Sequence, residues 1–563
     1  MLNLLPVTVI LPLVGAGGVL LASFLLKKPD VERERVWTPV MAAAIAILTL
    51  VLVLALKGGG GTMATVSVSH PALLGESMVR FHLHSGLWAL AVGVTLAACS
   101  FLLAELDPRS DSAPNSAAIL LVLLGISLAA LWSANPLTTI ISWALYDLLL
   151  FLGQIVAGVS ADEALGGLAL GSVAILLMWA GVLVAGQGVG SVQWSLIPAG
   201  GAKMTLWMVA ALVRLGAYPL HRSMGGGAGS PSAHEAMLSL SPVIGWGLCA
   251  RLTAANAGVL PVSAWMTAPA VLTLLAGGFL AWTARSSSDA RRWIGMAAGG
   301  AILFSCALTA LYGAPQGAAE DLTLSLLTLG SASWVVGVIL LFLGGGLSLP
   351  GAFRRTALPF TIPSLVGALS LTGAPVTLGF VPQSVLAGQL ARLGVWIWIA
   401  GFVAGQTFLV AALGRWLFSA DRAAEMDLRT WPAWARAGGL IAPALMLVIG
   451  GLAPTLLFTG AWDLSLRDLF GGPGLVGWSL WLAPLLLGGV LAWQEIRLRP
   501  HISLWLGALH DLVRLDWAYD LLVGAFERGL GVVRVVDRIL GGRGALLWSL
   551  VALLIFVLAG RGG

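Results

Sequence analysis

Charge is what this chain has least of. Asp, Glu, Lys and Arg make up 10% of its 563 residues, against about 25% in a soluble globule, which must clothe its surface with them. That shortage excludes a string of soluble domains, although length alone suggests roughly three or four. Cysteine is scarcer still. Cys99, Cys249 and Cys306 each lie in an apolar run, which excludes a disulfide scaffold and a clustered thiolate metal site. No paired metal ligands, Gly-rich phosphate loop or Ser/His/Asp constellation can be read, so a free-standing enzyme fits badly. GGGAGS at 225–230 has no strand before it and reads as a flexible inner loop rather than a dinucleotide motif. No flavin, quinone or iron–sulfur site is legible, and no cofactor or metal is expected. His82 and His84 have no third ligand in view and read as polar groups at the outer interface.

Apolar length is what the chain has in abundance. Hydrophobic residues make up 58% of it, with 72 Gly and 24 Trp, and the mean hydropathy is +0.95. Glycine and interfacial tryptophan are both favoured in membrane spans. A hydrocarbon core of about 30 Å needs about 20 apolar residues per helix. Windows of that size fall near 4–26, 36–56, 83–104, 116–133, 136–158, 165–187, 203–221, 233–255 and 262–283. They continue near 293–312, 322–346, 358–386, 394–416, 438–460, 474–494 and 544–560. The expectation is an all-α polytopic membrane protein of about 14–16 transmembrane helices. Loops after odd-numbered spans hold seventeen Lys and Arg against six after even-numbered ones, which places the N-terminus outside by the positive-inside rule. The net charge of +5 reflects this orientation and not a nucleic-acid surface. Residues 500–541 mix both signs of charge with Leu, Val and Trp at helical spacing. They read as an amphipathic helix along the inner interface, with a short cytoplasmic tail domain as the alternative.

An ionisable group at mid-bilayer is costly unless paired or hydrated, so each one is a functional hypothesis. Asp147 sits near the middle of the fifth span and Arg214 well inside the seventh. His234 and Glu235 lie near the inner end of the eighth, Arg251 near its outer end, and His221 at the start of the loop before it. His221 and His234 read as proton-admitting groups or as solvated loop ends. Two segments interrupt helices: Gly216-Ala217-Tyr218-Pro219 and Leu371-Thr372-Gly373-Ala374-Pro375. Their spans run in opposite directions, and broken helices at matching places of two inverted halves point to a midplane transport site. The alternative is that Pro219 and Pro375 merely kink packed helices.

These residues resemble the antiporter-like subunits of respiratory complex I, which are kin to subunits of multisubunit cation/proton antiporters and membrane-bound hydrogenases. The resemblance is carried by SANPLTTIISWALYDLLLFLGQ (133–154), ALVRLGAYPLHRSMGGGAGSPSAHEAM (211–237), SLTGAPVTLGFVPQSVLAG (370–388) and FHLHSGLWAL (81–90). The amphipathic stretch before a final span resembles the lateral helix of the L-type subunit. The resemblance implies two inverted five-helix repeats and a mid-membrane line of carboxylates and lysines that passes protons, driven by electron transfer in other chains. On that pattern the chain divides into 1–115, a first repeat 116–260, a second repeat 261–418, core helices 419–499, the lateral helix 500–541 and a terminal span 542–563.

Several family positions are altered. The carboxylate after the fifth-span Trp is Ala144, with Asp147 one turn on along what reads as the same face. The seventh-span lysine is Arg214, which can pair with Asp147 but is a poor proton carrier. The charged position of the twelfth span falls on Gln383 and Ser384. The eleventh span keeps Ser, Thr and Trp334 where the family has histidines and lysine. Two functions follow as expectations. One is a proton-translocating subunit of a complex I-like or antiporter-like assembly, with Asp147, Arg214, Glu235, His234, His221 and Gln383 on the pathway. The other is a non-pumping structural member of such an assembly. Expected partners are the other membrane subunits and the lipid bilayer, and the expected place is a prokaryotic cell membrane.

Overall fold

The computed structural model describes residues 4–26, 31–59, 79–106, 114–156, 158–186, 189–221, 233–256, 260–261, 263–312, 319–344, 358–418, 430–457, 466–521, 524–525 and 528. Apolar runs fold as helices because an open chain has no other way to satisfy its backbone hydrogen bonds in hydrocarbon. In order they are α1 (Leu4–Leu26), α2 (Val31–Ala55), α3 (Trp88–Ala104), α4 (Pro114–Trp132), α5 (Pro136–Val156) and α6 (Ala161–Ala185). Next come α7 (Gly201–Leu215), α8 (Ala233–Ala255), α9 (Ser263–Thr283), α10 (Ser287–Tyr312), α11 (Ala319–Leu343) and α12 (Leu358–Leu371). The rest are α13 (Phe380–Leu393), α14 (Trp396–Phe418), α15 (Trp431–Leu452), the short α16 (Leu466–Gly471) and α17 (Gly474–Arg514).

Among the described residues, eleven helices are long and apolar enough to cross a membrane, and α3 and α12 are shorter apolar helices. The chain is an all-α, multi-pass membrane protein. The span expected at 358–386 is two helices of 14 residues each, α12 and α13, with a turn between them. α7 has 15 residues and holds Lys203 and Arg214, while α8 holds His234, Glu235 and Arg251. These two helices are too short or too polar to register as spans by length and apolarity. The expected terminal span at 544–560 lies outside the described residues.

Helices already in lipid gain little from the hydrophobic effect when they meet, so packing rests on close approach. A Cβ placed at Gly300 on α10 would lie 2.4 Å from the Leu274 nitrogen on α9. One at Gly278 on α9 would lie 2.7 Å from the Gly405 carbonyl oxygen on α14. Helices α10 and α11 are buried along most of their length, whereas α1 and α6 expose Ile10, Val14, Phe24, Leu176 and Leu183 outward. Each of α4 to α8 packs on the next, and α4 packs back on α8 to close a five-helix ring. In the following group α9 packs on α10, α10 on α11, α11 on α12, and α14 returns to α9.

The chain divides into two compact units, Met1–Arg499 and Pro500–Gly563. In the second unit, Trp517 Nε1 donates to the Leu512 carbonyl at 3.3 Å and Arg514 pairs with Asp516 at 2.8 Å. Leu504, Trp505, Leu512 and Leu521 are exposed there. Most of the expected amphipathic stretch beyond residue 521 lies outside the described residues.

The α9–α10 crossing gives a direct test. Gly300→Ala is expected to lower the thermal stability of the purified chain in detergent, at an overpacking cost of about 1–3 kcal/mol. Gly438→Ala on α15, where no atom lies within 4 Å of the added carbon, is expected to stay within about 0.5 kcal/mol of the parent.

Candidate functional site

Inside the first ring, α5 and α7 bring Asp147 and Arg214 together. Their side chains are 4% and 5% exposed, and Arg214 Nη1 donates to Asp147 Oδ1. Arg214 Nη2 makes a long contact of 3.5 Å to the Trp143 carbonyl. The guanidinium carbon lies 5.2 Å from the Trp143 ring centre and 5.8 Å from that of Tyr146, both within cation–π range. The sequence explains this placement. Trp143 and Asp147 are four residues apart on one helical face, and Arg214 occupies the last turn of α7, where the helix dipole favours a cation.

α7 stops there because Gly216 takes the left-handed conformation, φ 66°, ψ 35°, with its N–H turned back to the carbonyls of Leu212 and Val213. That backbone region is open to glycine at little cost. Pro219 follows through a cis peptide bond, and Tyr218 N–H donates to Thr273 Oγ1 on α9 at 2.9 Å.

A cavity of about 20 Å³ adjoins the pair, lined among others by Asp147, Gln154, Gly167, Gly171, Arg214 and Ser241. That is room for about one water molecule. Asp147 Oδ2 and Arg214 Nε are buried without a hydrogen-bond partner. Gly171 on α6 makes the close approach to the carboxylate possible, since a Cβ there would lie 2.4 Å from Asp147 Oδ2.

One expectation needs correcting. Ala144 and Asp147 do not share a face: Ala144 is exposed and Asp147 buried, because three residues fall about 60° short of a full helical turn. Asp147 therefore reaches Arg214 from its own position on the inward face, not by standing in along the line of Ala144.

The second break lies between α12 and α13. Gly373 has φ +71° and Val376 φ 69°. Gly379 N–H donates to Ser370 Oγ at 3.2 Å, and Ser370 Oγ lies 2.8 Å from Ser333 Oγ on α11. Trp481 Nε1 donates to the Gly373 carbonyl at 2.9 Å, while Pro375 sits in the turn. Gln383, on the first turn of α13, is buried against Gly373, and its Oε1 has no hydrogen-bond partner.

Around α8 the contacts are aromatic and sulfur-containing. Gly245 on α8 abuts Arg214. Trp246 beside it meets Trp334 of α11 at 6.2 Å between ring centres, and Trp334 Nε1 donates to the Gly295 carbonyl at 2.6 Å. Cys249 Sγ lies 3.9 Å from Met208 Sδ. Asp147 and Gln383 are thus not brought together.

His221 is 2% exposed, stacked on Tyr218 at 5.3 Å and edge-on to Trp293 at 5.3 Å. His234 and Glu235 fall on the first turn of α8, and their side chains lie outside the described residues. Gly171, Gln154 and Ser241 beside the pair were not singled out from sequence, where a single Gly, Gln or Ser in an apolar helix has no signal. Arg251 is buried and donates to the carbonyls of Leu131 and of His82, the latter at 3.1 Å. It therefore caps the end of α4. Among the described residues no group of three or more His, Cys, Asp or Glu gathers to hold a metal.

No family description matches the sequence, and neither does any curated protein. Solved structures do match. A chain of the Mrp complex from Dietzia sp. aligns with a TM-score of 0.73 at 16% identity, over 99% of this chain and 63% of that one. The chain thus spans less than two thirds of the length of that relative. A chain of the membrane-bound sulfane sulfur reductase, an archaeal respiratory membrane complex, aligns at 0.68 and 18% identity, over 99% of this chain and 100% of that one. A chain of respiratory complex I from Thermus thermophilus aligns at 0.58 and 17% identity, over 81% and 100%. The fold is the one found in membrane subunits of these assemblies.

Gly171→Ala is expected to force the Asp147 carboxylate to shift and to lower thermal stability in detergent by about 1–3 kcal/mol. Gly167→Ala, whose added carbon would lie 3.9 Å from Gln154 Oε1, is expected to change it by less than about 0.5 kcal/mol.

Proposed function

We propose that this chain is a proton-translocating membrane subunit of a complex I-like or multisubunit antiporter-like assembly, with Asp147 as the proton carrier and Arg214 as the group that governs its loading. The observation that supports this most is the geometry of the pair: a buried carboxylate whose free oxygen has no partner, beside a water-sized cavity and a broken helix. A guanidinium is a poor proton carrier. The proton therefore rides on Asp147. When the guanidinium withdraws, the lone carboxylate binds a proton and becomes the neutral acid. When the guanidinium returns, the O–H bond breaks and the proton leaves through water.

In this reading the two five-helix groups are inverted repeats, and His221, His234, Glu235 and Gln383 lie along the route on either side of the pair. Electron transfer belongs to other chains, and the subunit sits in a prokaryotic cell membrane with its N-terminus outside. The likeness to subunits of three multisubunit membrane complexes supports membrane-subunit partners.

A second reading, a structural subunit that no longer pumps, is favoured by one observation. Trp246 of α8 and Trp334 of α11 meet ring to ring where the two five-helix groups touch, and an indole does not relay protons.

Proton pumping by the assembled complex in sealed vesicles separates the two. Asp147→Asn is expected to lower pumping at least about tenfold, the scale of a lost proton-transfer group, with subunit composition unchanged on a native gel. Unchanged pumping contradicts the proposal, and loss of assembly with no separate pumping defect supports the structural reading.

A further inference from the structure

Glu105 directly follows α3, beyond the last residue of the helix, yet it is 6% exposed. Its backbone N–H donates to the Phe101 carbonyl at 3.0 Å. The residue therefore lies against the terminal carbonyls of α3, the negative end of the helix dipole, where an anion is disfavoured. Ser116 Oγ, from the first turn of α4, donates to Glu105 Oε1 at 3.2 Å. Oε2 is buried with no hydrogen-bond partner.

The elements packed on α3 are α2, α4, α8, α11 and α15. From α15 comes Arg436, whose Nη2 donates to the Leu343 carbonyl at 3.3 Å and whose guanidinium lies over the Phe360 ring at 5.9 Å. From α8 comes Arg251, bound to the Leu131 and His82 carbonyls. α2 carries Glu32, Arg33, Glu34 and Arg35 in its first turns, and α11 carries Glu320 and Asp321 in its first turn; the side chains of these six lie outside the described residues. α4 has no charged residue.

We infer that Glu105 is a second proton-binding site, separate from the Asp147–Arg214 pair: its carboxyl is neutral while the α3–α4 corner is closed and ionises at the cost of loosening that corner. The proton adds to Oε2, forming an O–H bond on the oxygen that Ser116 leaves free. Burial pushes this carboxyl up to about 7, against a smaller opposing effect of the Ser116 hydroxyl. A group whose folded value lies above its unfolded one stabilises the fold below the ordinary carboxylate range. That stability is lost as pH rises through about 7. The corner thus tightens in acid and loosens in alkali, whether or not Asp147 conducts.

The test uses the full chain in detergent, with thermal unfolding followed from pH 5 to pH 9 (roughly two units to either side of the expected midpoint). Glu105→Gln is expected to lie nearest the parent at the acid end, to gain on it as pH rises toward about 7 and to hold a constant advantage above that. Infrared difference spectra over the same range are expected to show a protonated-carboxyl band in the parent and in Asp147→Asn that Glu105→Gln lacks. Ser116→Ala, which keeps the carboxyl but removes its donor, is expected to move that band's midpoint to higher pH. A stability gap that stays constant with pH, or a band unchanged in Glu105→Gln, overturns the inference.

Discussion

One interaction organises the site: the ion pair between Asp147 and Arg214, inside an apolar helical frame. Either charge alone in that place costs several kcal/mol, and the pair is tolerable because each is the other's counter-charge. Everything near it follows from accommodating the two groups. α7 ends at Gly216 so that its C-terminal carbonyls add to the field that holds the guanidinium. Trp143 and Tyr146 present ring faces to the cation, and α6 places a glycine where any larger residue would strike the carboxylate.

The pair is also incomplete as an ion pair. One carboxylate oxygen and one guanidinium nitrogen remain unbonded beside a space of about one water. A purely structural bridge would gain by closing that space and satisfying both atoms. On the far side the picture reverses. There Trp246 of α8 faces Trp334 of α11, and Cys249 of α8 meets Met208 of α7, so apolar and sulfur contacts replace the polar lining found on the α6 side. The unsatisfied polar atoms and the cavity thus gather on the α6 side of the pair.

Much of this was legible in the sequence, for physical reasons. Lipid demands about 20 apolar residues per crossing, so spans can be counted, and a Gly followed closely by Pro marks both breaks because it ends a helix by backbone chemistry alone. Helix rotation was less legible. Periodicity put Ala144 and Asp147 on one face, whereas Asp147 is buried on the inward face and Ala144 is exposed. Which small residue would meet the carboxylate depends on the register of α6 against α5, and near-uniform apolarity carries no record of that register. Glu105 was not singled out from sequence, since nothing in its neighbours announces burial. The break in the twelfth span, by contrast, was visible in Thr372-Gly373-Ala374-Pro375, where Gly373 takes a positive φ and Pro375 has no backbone N–H to give a helix.

The most direct measurement of the central claim is a double-mutant cycle on thermal unfolding of the purified chain with Asp147→Ala, Arg214→Ala and the double variant. Each single change strands a buried charge, so the account predicts a loss of about 3–5 kcal/mol for each. The double variant is predicted to fall short of the sum by at least about 1 kcal/mol. Costs that add to within about 0.5 kcal/mol would show that the two groups do not act on each other and would contradict the account.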